Sequence, residues 1–413
     1  MITAKDKTIL QELAKSYRDL AFNEVNRERI KRIREIHSLK PSRPPVWIDE
    51  IPWHEMDIDG ELILHCETKE ARNMEQFFRR VLFRWKHLQV DMVVEDAFYI
   101  NKTYTDSGIG INVKENILST DTDNNIVSHS YEDQLDTEEK VDKLLIPHIE
   151  AQPERDQKNM ESALEVLDGI LPVKLRGSYI THGPWDEITM LRSVENCFMD
   201  MAEKPELIHK TIAKFTEIGL ARMEQYEKLG LLDFNISALH CTPPYCDDLP
   251  AEDYDGSHVR LKDVWFRGAA QLFASVSPAM LDEYDLHYMK PLMAKCGLVY
   301  YGCCEPLDKA IPYLKKIPNL RKIGISPWAD VRSSAEQMGR DFVFARKPNP
   351  AMVSGVFNRE AVEKEISETI EVCLKNNCPY EFVLKDISTV TGRPQNLIDW
   401  AKTVMGVIDS YYR

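Results

Sequence analysis

Two thiols and a carboxylate stand together at Cys303-Cys304-Glu305, just after the apolar run Leu298-Val299-Tyr300-Tyr301. Soft sulfur beside a carboxylate at a strand end is a ligand set that zinc accepts, and zinc there would act as a Lewis acid. If strand alternation continues, Tyr301, Cys303 and Glu305 share one face and Cys304 turns to the other. The competing use is a buried cysteine pair, with Glu305 at the favoured acidic start of a helix. A second group, His240, Cys241 and Cys246, flanks the rigid Pro243-Pro244 pair after another apolar run. It can reach the same centre, so the expected metal ligands are His240, Cys241, Cys303 and Glu305.

Carboxylates follow the first two apolar runs: Asp49 and Glu50, then Glu95 and Asp96. They can serve as general acids, hold a cationic substrate or ligate a metal. Equally, they can pair with Lys347 and Lys385, which end the last two runs. Glu95 and Asp96 are the expected catalytic acids. His182 joins them, lying just before the turn signal Gly183-Pro184. Trp47, Trp53, Tyr301 and Trp328 can wall a pocket for a flat ligand, with Lys347 as its polar member. Plain core packing is the other use for those aromatic rings. No Ser-His-Asp order, phosphate-binding loop or HExxH appears, which excludes the simplest hydrolase and kinase chemistries.

These groups need elements to position them. Eight short apolar runs recur: Val46–Ile48, Val90–Glu95, Val173–Ile180, Phe234–Leu239, Leu298–Tyr301, Arg321–Ile325, Phe342–Ala345 and Glu381–Leu384. Each is followed by polar or special residues, and helical patterns separate most of them. Alternating strand and helix predicts a parallel sheet. Eight units predict an α/β fold of the closed (β/α)8 TIM barrel class, whose active face lies just beyond the strand ends. The absence of a G-x-G-x-x-G fingerprint argues against a dinucleotide-binding sheet. Residues 1–42 read as an N-terminal helical extension, stopped by Pro41, Pro44 and Pro45, and residues 43–413 as the barrel. The acidic stretch from about 102 to 165, with Asp121, Asp123, Asn124 and Asn125, reads as an insertion after the second strand, either a surface excursion or a lid.

A net charge of -15 with no basic, aromatic-interleaved patch argues against nucleic-acid binding. Nine cysteines without a disulfide spacing, a polar start at Met1–Lys7 and no long apolar run predict a reducing cytoplasmic setting with no membrane span.

Three segments carry a family resemblance. Arg43-Pro44-Pro45-Val46-Trp47, Gly183-Pro184-Trp185 and Lys347-Pro348-Asn349-Pro350-Ala351 resemble, in order, motifs of the uroporphyrinogen decarboxylase superfamily. The likeness spans about residues 43 to 410. It departs where true decarboxylases place arginines for a polycarboxylate: Ile48-Asp49-Glu50 stands there instead, and acids would repel such a substrate. Asp386-Ile387-Ser388 replaces that family's final G-H-G. The chain resembles more the corrinoid-dependent methyltransferases of the superfamily, in particular the components that start methyl-ether demethylation. Cys303 matches the cysteine of the H-x-C motif that some zinc methyltransferases of the superfamily carry, while Tyr301 replaces its histidine.

That resemblance implies transfer of a methyl group from a small methylated compound, for instance an aromatic methyl ether, to the corrinoid of a partner protein. It implies zinc assistance and a homodimer. The alternative is a metal-independent decarboxylase or lyase using Glu95 or Asp96 as proton donor.

Overall fold

The computed structural model describes residues 2–118 and 128–412. Asp121, Asp123, Asn124 and Asn125 lie outside the described residues. Seven parallel strands form the main sheet, in the order Val46–Ile48, Tyr380–Leu384, Val343–Arg346, Leu320–Ile325, Leu298–Tyr301, Trp265–Gly268, Ile180–Thr181. Most of these strands are buried along their whole length, as expected of a parallel sheet covered on both faces.

Alternate residues face opposite ways. Val299, Tyr301, Ile323, Phe344 and Phe382 join the large core under the surrounding helices, whereas Trp265, Tyr300 and Ala345 pack together on the inner face. The sheet is curled. Lys322 Nζ reaches Glu381 Oε1 at 2.9 Å although a whole strand separates theirs, and flat neighbouring strands sit about 4.8 Å apart.

The barrel-like sheet is not closed by hydrogen bonds, which corrects the expectation of eight strands. Two of the apolar runs form no strand. In residues 90–95 side chains of the Glu24–His37 helix take the backbone groups a ladder would use: Asn26 pairs with both N and O of Val94, and Arg29 donates to Met92 O. Residues 234–239 end in a tight turn in which Leu239 and Thr242 exchange backbone hydrogen bonds. Conversely, Trp265–Gly268 is a central strand that the apolar-run reading missed, because Arg267 and Gly268 interrupt it. The run 173–180 also splits. Val173–Arg176 pairs with Phe98–Asn101 in a separate two-stranded sheet, and only Ile180–Thr181 joins the main one.

The helices Ala4–Ala21 and Glu24–His37 are capped by Thr3 and Asn23. Leu10, Ala14 and Tyr17 of the first pack on Phe78 of the Lys69–His87 helix. The stretch after Asn101 contains two antiparallel pairs, Tyr104–Asp106 with Ile149–Ala151 and Glu115–Leu118 with Ser128–Tyr131. Among the described residues no helix is long and apolar enough to cross a membrane.

Candidate active site

Three strand ends and one loop converge on Cys303. After Tyr301 the chain turns sharply at Gly302, whose φ of 113° suits glycine and whose added Cβ would press on Leu307 Cδ1 at 2.7 Å. The turn cancels the expected alternation. Cys303 and Cys304 end up on one side, their sulfurs 3.6 Å apart, while Tyr301 stays on the outer face and donates to Asp285 Oδ2 at 2.7 Å. Tyr301 is therefore no part of the mouth. Tyr300 is the inward ring, with Lys347 Nζ 5.8 Å from its centroid.

Around Cys303 Sγ stand His240 Nε2 at 3.4 Å and Lys385 Nζ at 3.5 Å. Lys385 Nζ also lies 3.7 Å from Cys241 Sγ and 3.7 Å from Glu50 Oε2. The Cys241 thiol donates to Glu50 Oε1 at 3.2 Å, and the Cys304 thiol to Asp386 Oδ2 at 3.1 Å. Lys347 Nζ donates to the Cys303 carbonyl. Glu50, His240 and Asp386 all adopt positive φ, at 51°, 54° and 58°. A left-handed non-glycine residue costs on the order of 1–3 kcal/mol, and such strain gathers at functional sites. Here it turns three side chains back over one centre.

The electrostatics favour a thiolate at Cys303. Its ionisation is pulled well below the ordinary thiol range, first by the Cys304 thiol, then, against burial, by His240 and the charges of Lys347 and Lys385. Cys304 has a single hydrogen, and Asp386 competes for it at the shorter distance, so the Lys385 ammonium is the dependable support, while burial lowers Lys347. Burial pushes the Cys241 thiol up, and Glu50 adds to that, leaving it neutral. Burial opposes the charge on Lys385, but the Cys303 thiolate and Glu50 outweigh it and hold the ammonium above its usual range. Arg267, buried on the strand beside Leu298–Tyr301, is also held charged against burial, chiefly by Cys303.

The four expected metal ligands do not fit a common ion. Glu305 folds back, its oxygens accepting the backbone N–H groups of Cys303 at 2.8 Å and Ala270 at 3.4 Å. Lys385 occupies the space between Cys241 and Cys303. Among the described residues no group of three or more His, Cys, Asp and Glu side chains is arranged to hold a metal.

The other expected residues scatter. His182 is buried against Gly219 of the Pro205–Lys228 helix, away from Cys303, and burial lowers its imidazole to about 4. Glu95 pairs with Arg176, and Asp96 with Lys174 at 3.2 Å and the Tyr99 hydroxyl at 2.9 Å. Neither reaches the thiols. Trp47 and Trp53 line a cleft of about 410 Å³ with Glu95, and Trp47 packs on Cys241. Trp328, 70 % exposed, borders a second cleft of about 350 Å³ with Phe273 and Glu305. Sequence reasoning treated Lys385 only as an ion-pair partner of the strand-end carboxylates and did not single out Arg267 or Asp386 as site residues. A signal existed for Lys385: it continues the inward alternation Glu381, Val383, Lys385.

In fold the chain resembles a methyltransferase from Methanosarcina mazei. That solved structure superposes with a TM-score of 0.51 and 11% sequence identity, covering 93% of this chain and 99% of the other. At that identity the likeness establishes the fold alone. No family model matches the sequence, and comparison with curated proteins finds no match.

Proposed function

We propose that the protein is a methyltransferase that takes a methyl group from a small methylated compound, such as an aromatic methyl ether, for delivery to the corrinoid of a separate protein. The observation that carries this reading is the Cys303 sulfur held between Lys385 and His240 beyond the strand ends. The fold likeness to a methyltransferase supports it. A reduced corrinoid would supply the nucleophile that accepts the methyl group. The protein's own task is to make the departing oxygen a tolerable leaving group. When the methyl–oxygen bond breaks, the electron pair stays on oxygen, and the ammonium groups of Lys347 and Lys385 offset the charge that develops there. His240 Nε2, already a hydrogen-bond partner of Cys303, is placed to pass a proton to that oxygen. The thiolate favours the charged form of Lys385, whereas burial outweighs it at Lys347 and lowers that amine. No step requires zinc.

The test is to mix the purified protein with a reduced corrinoid protein and methylated candidates and follow methyl–cobalt absorbance. Wild type forms methyl–cobalt, and Cys303→Ser and Lys385→Met lose most of the rate while keeping the native circular dichroism. Full activity in both variants, or activity that tracks zinc bound through Cys303, refutes the reading.

The three cations Lys347, Lys385 and Arg267 favour one second reading, a lyase that releases CO2 from a small carboxylate. Liberation of CO2 without methyl–cobalt formation would establish that alternative.

A further inference from the structure

The cleft beside Cys241 has a composition that the thiol cluster does not explain. It lies between the first strand, the Lys69–His87 helix and the two apolar segments that form no strand. Arg80 and Arg84 stand one turn apart on that helix and therefore share a face. Arg80 lies 5.0 Å over the Trp53 ring, and Arg84 5.7 Å over the Trp47 ring. Like charges at this spacing repel unless an anion lies between them. Arg84 is partly answered by Asp49 and donates to Ile48 O at 2.7 Å. Arg80 has no acidic partner among the described residues, and burial alone acts on it. The one other acid lining the cleft, Glu95, is already committed to Arg176. The cleft thus carries one surplus positive charge.

Trp47 and Trp53 both line this cleft beside Arg80 and Arg84. Two indole rings and two guanidinium groups are the means of recognising a flat ring that bears an acid group. The volume of about 410 Å³ falls within the range of small-molecule sites.

We infer that this cleft binds an aromatic monocarboxylate, its ring against Trp47 and Trp53 and its carboxylate on Arg80 and Arg84. As a statement of substrate class it rests on the methyl-transfer reading, since Trp47 also packs on Cys241 and so places the ligand beside the thiol cluster. As a binding site it stands independently of that reading.

Calorimetric titration with benzoate, cyclohexanecarboxylate and phenol tests it. Benzoate gives saturable one-to-one binding, and the two analogues, lacking the flat ring or the charge, bind at least about tenfold more weakly. Arg80→Gln, which breaks no ion pair within the described residues, weakens benzoate by about tenfold or more, as expected for a lost charged hydrogen bond. Trp53→Leu erases the preference for benzoate over cyclohexanecarboxylate. Cys303→Ser binds benzoate like wild type. Absence of saturable binding, an unchanged affinity in Arg80→Gln, or equal binding of cyclohexanecarboxylate overturns the inference. If benzoate binds as described but no methyl donor is used, the methyl-transfer reading alone falls. If neutral donors are demethylated and benzoate does not bind, the cleft assignment alone falls.

Discussion

Lys385→Met is the perturbation that most directly tests how the thiolate is held. Methionine keeps most of the side-chain volume and removes the ammonium. At the observed 3.5 Å from Cys303 Sγ, unit charges in an effective dielectric of about 20 attract by about 5 kcal/mol. Glu50 at 3.7 Å and Asp386 at 3.1 Å share the same ammonium, so that figure is a ceiling. Even a quarter of it corresponds to roughly one pKa unit, and the whole to roughly three. The sign is definite. Losing a cation raises the thiol's pKa, so the thiolate protonates at a higher pH in the variant. The assay is a pH titration of thiolate ultraviolet absorbance, with Cys303→Ser subtracted in both backgrounds. Wild type retains the Cys303 thiolate well into the acid range, and Lys385→Met loses it about one to three pH units earlier. An identical onset in the two proteins would show that Lys385 does not hold the thiolate. A wild-type onset at or above neutrality would refute the thiolate itself.

Three further outcomes follow from tightly packed groups. Asp285 is held at about 7 by burial, although the Tyr301 hydrogen bond works against the shift. Its folded pKa exceeds its unfolded value, so its contribution is intact below about pH 4 and is lost as pH rises through about 7. The Asp285→Asn variant should remove that decline, a difference of at most about 4 kcal/mol in urea unfolding across the window; parallel pH profiles for the two proteins would contradict it. Glu381→Gln leaves the fully buried Lys322 ammonium without its carboxylate and should cost about 3–5 kcal/mol, and a loss under about 1 kcal/mol would mean that Lys322 is neutral. Gly177→Ala drives a methyl group into the carbonyl oxygens of Leu231 and Leu232 and should destabilise by about 1–3 kcal/mol, seen as a lower urea midpoint with unchanged slope; an unshifted midpoint would contradict the close packing.

How much was legible in the sequence differs from element to element. The strand Leu298–Tyr301 was readable because strands buried on both faces show as unbroken apolar runs. Trp265–Gly268 was not readable, because its inward Arg267 faces a polar interior rather than a hydrophobic one. The second apolar run misled for the opposite reason. Its composition suits a strand, but Asn26 and Arg29, more than sixty residues earlier, take its backbone groups. Cys303, His240 and Cys241 were picked out correctly as neighbours from their place beyond apolar runs, and Glu305 was not. Two residues after Cys303 it is close enough to fold back on its own backbone, a choice made by the turn at Gly302.

Residue types and their order were enough to establish an alternating α/β chain with its reactive groups beyond the strand ends, since burial and period are local properties. Tertiary structure decided what those groups become. Curling of the sheet brings Lys385 and Lys347 from strands distant in sequence onto Cys303. Whether sulfur meets a metal, a proton or an ammonium depends on distances of a few ångströms between residues as far as 191 positions apart, as Cys241 is from Glu50, and only the folded chain sets those distances.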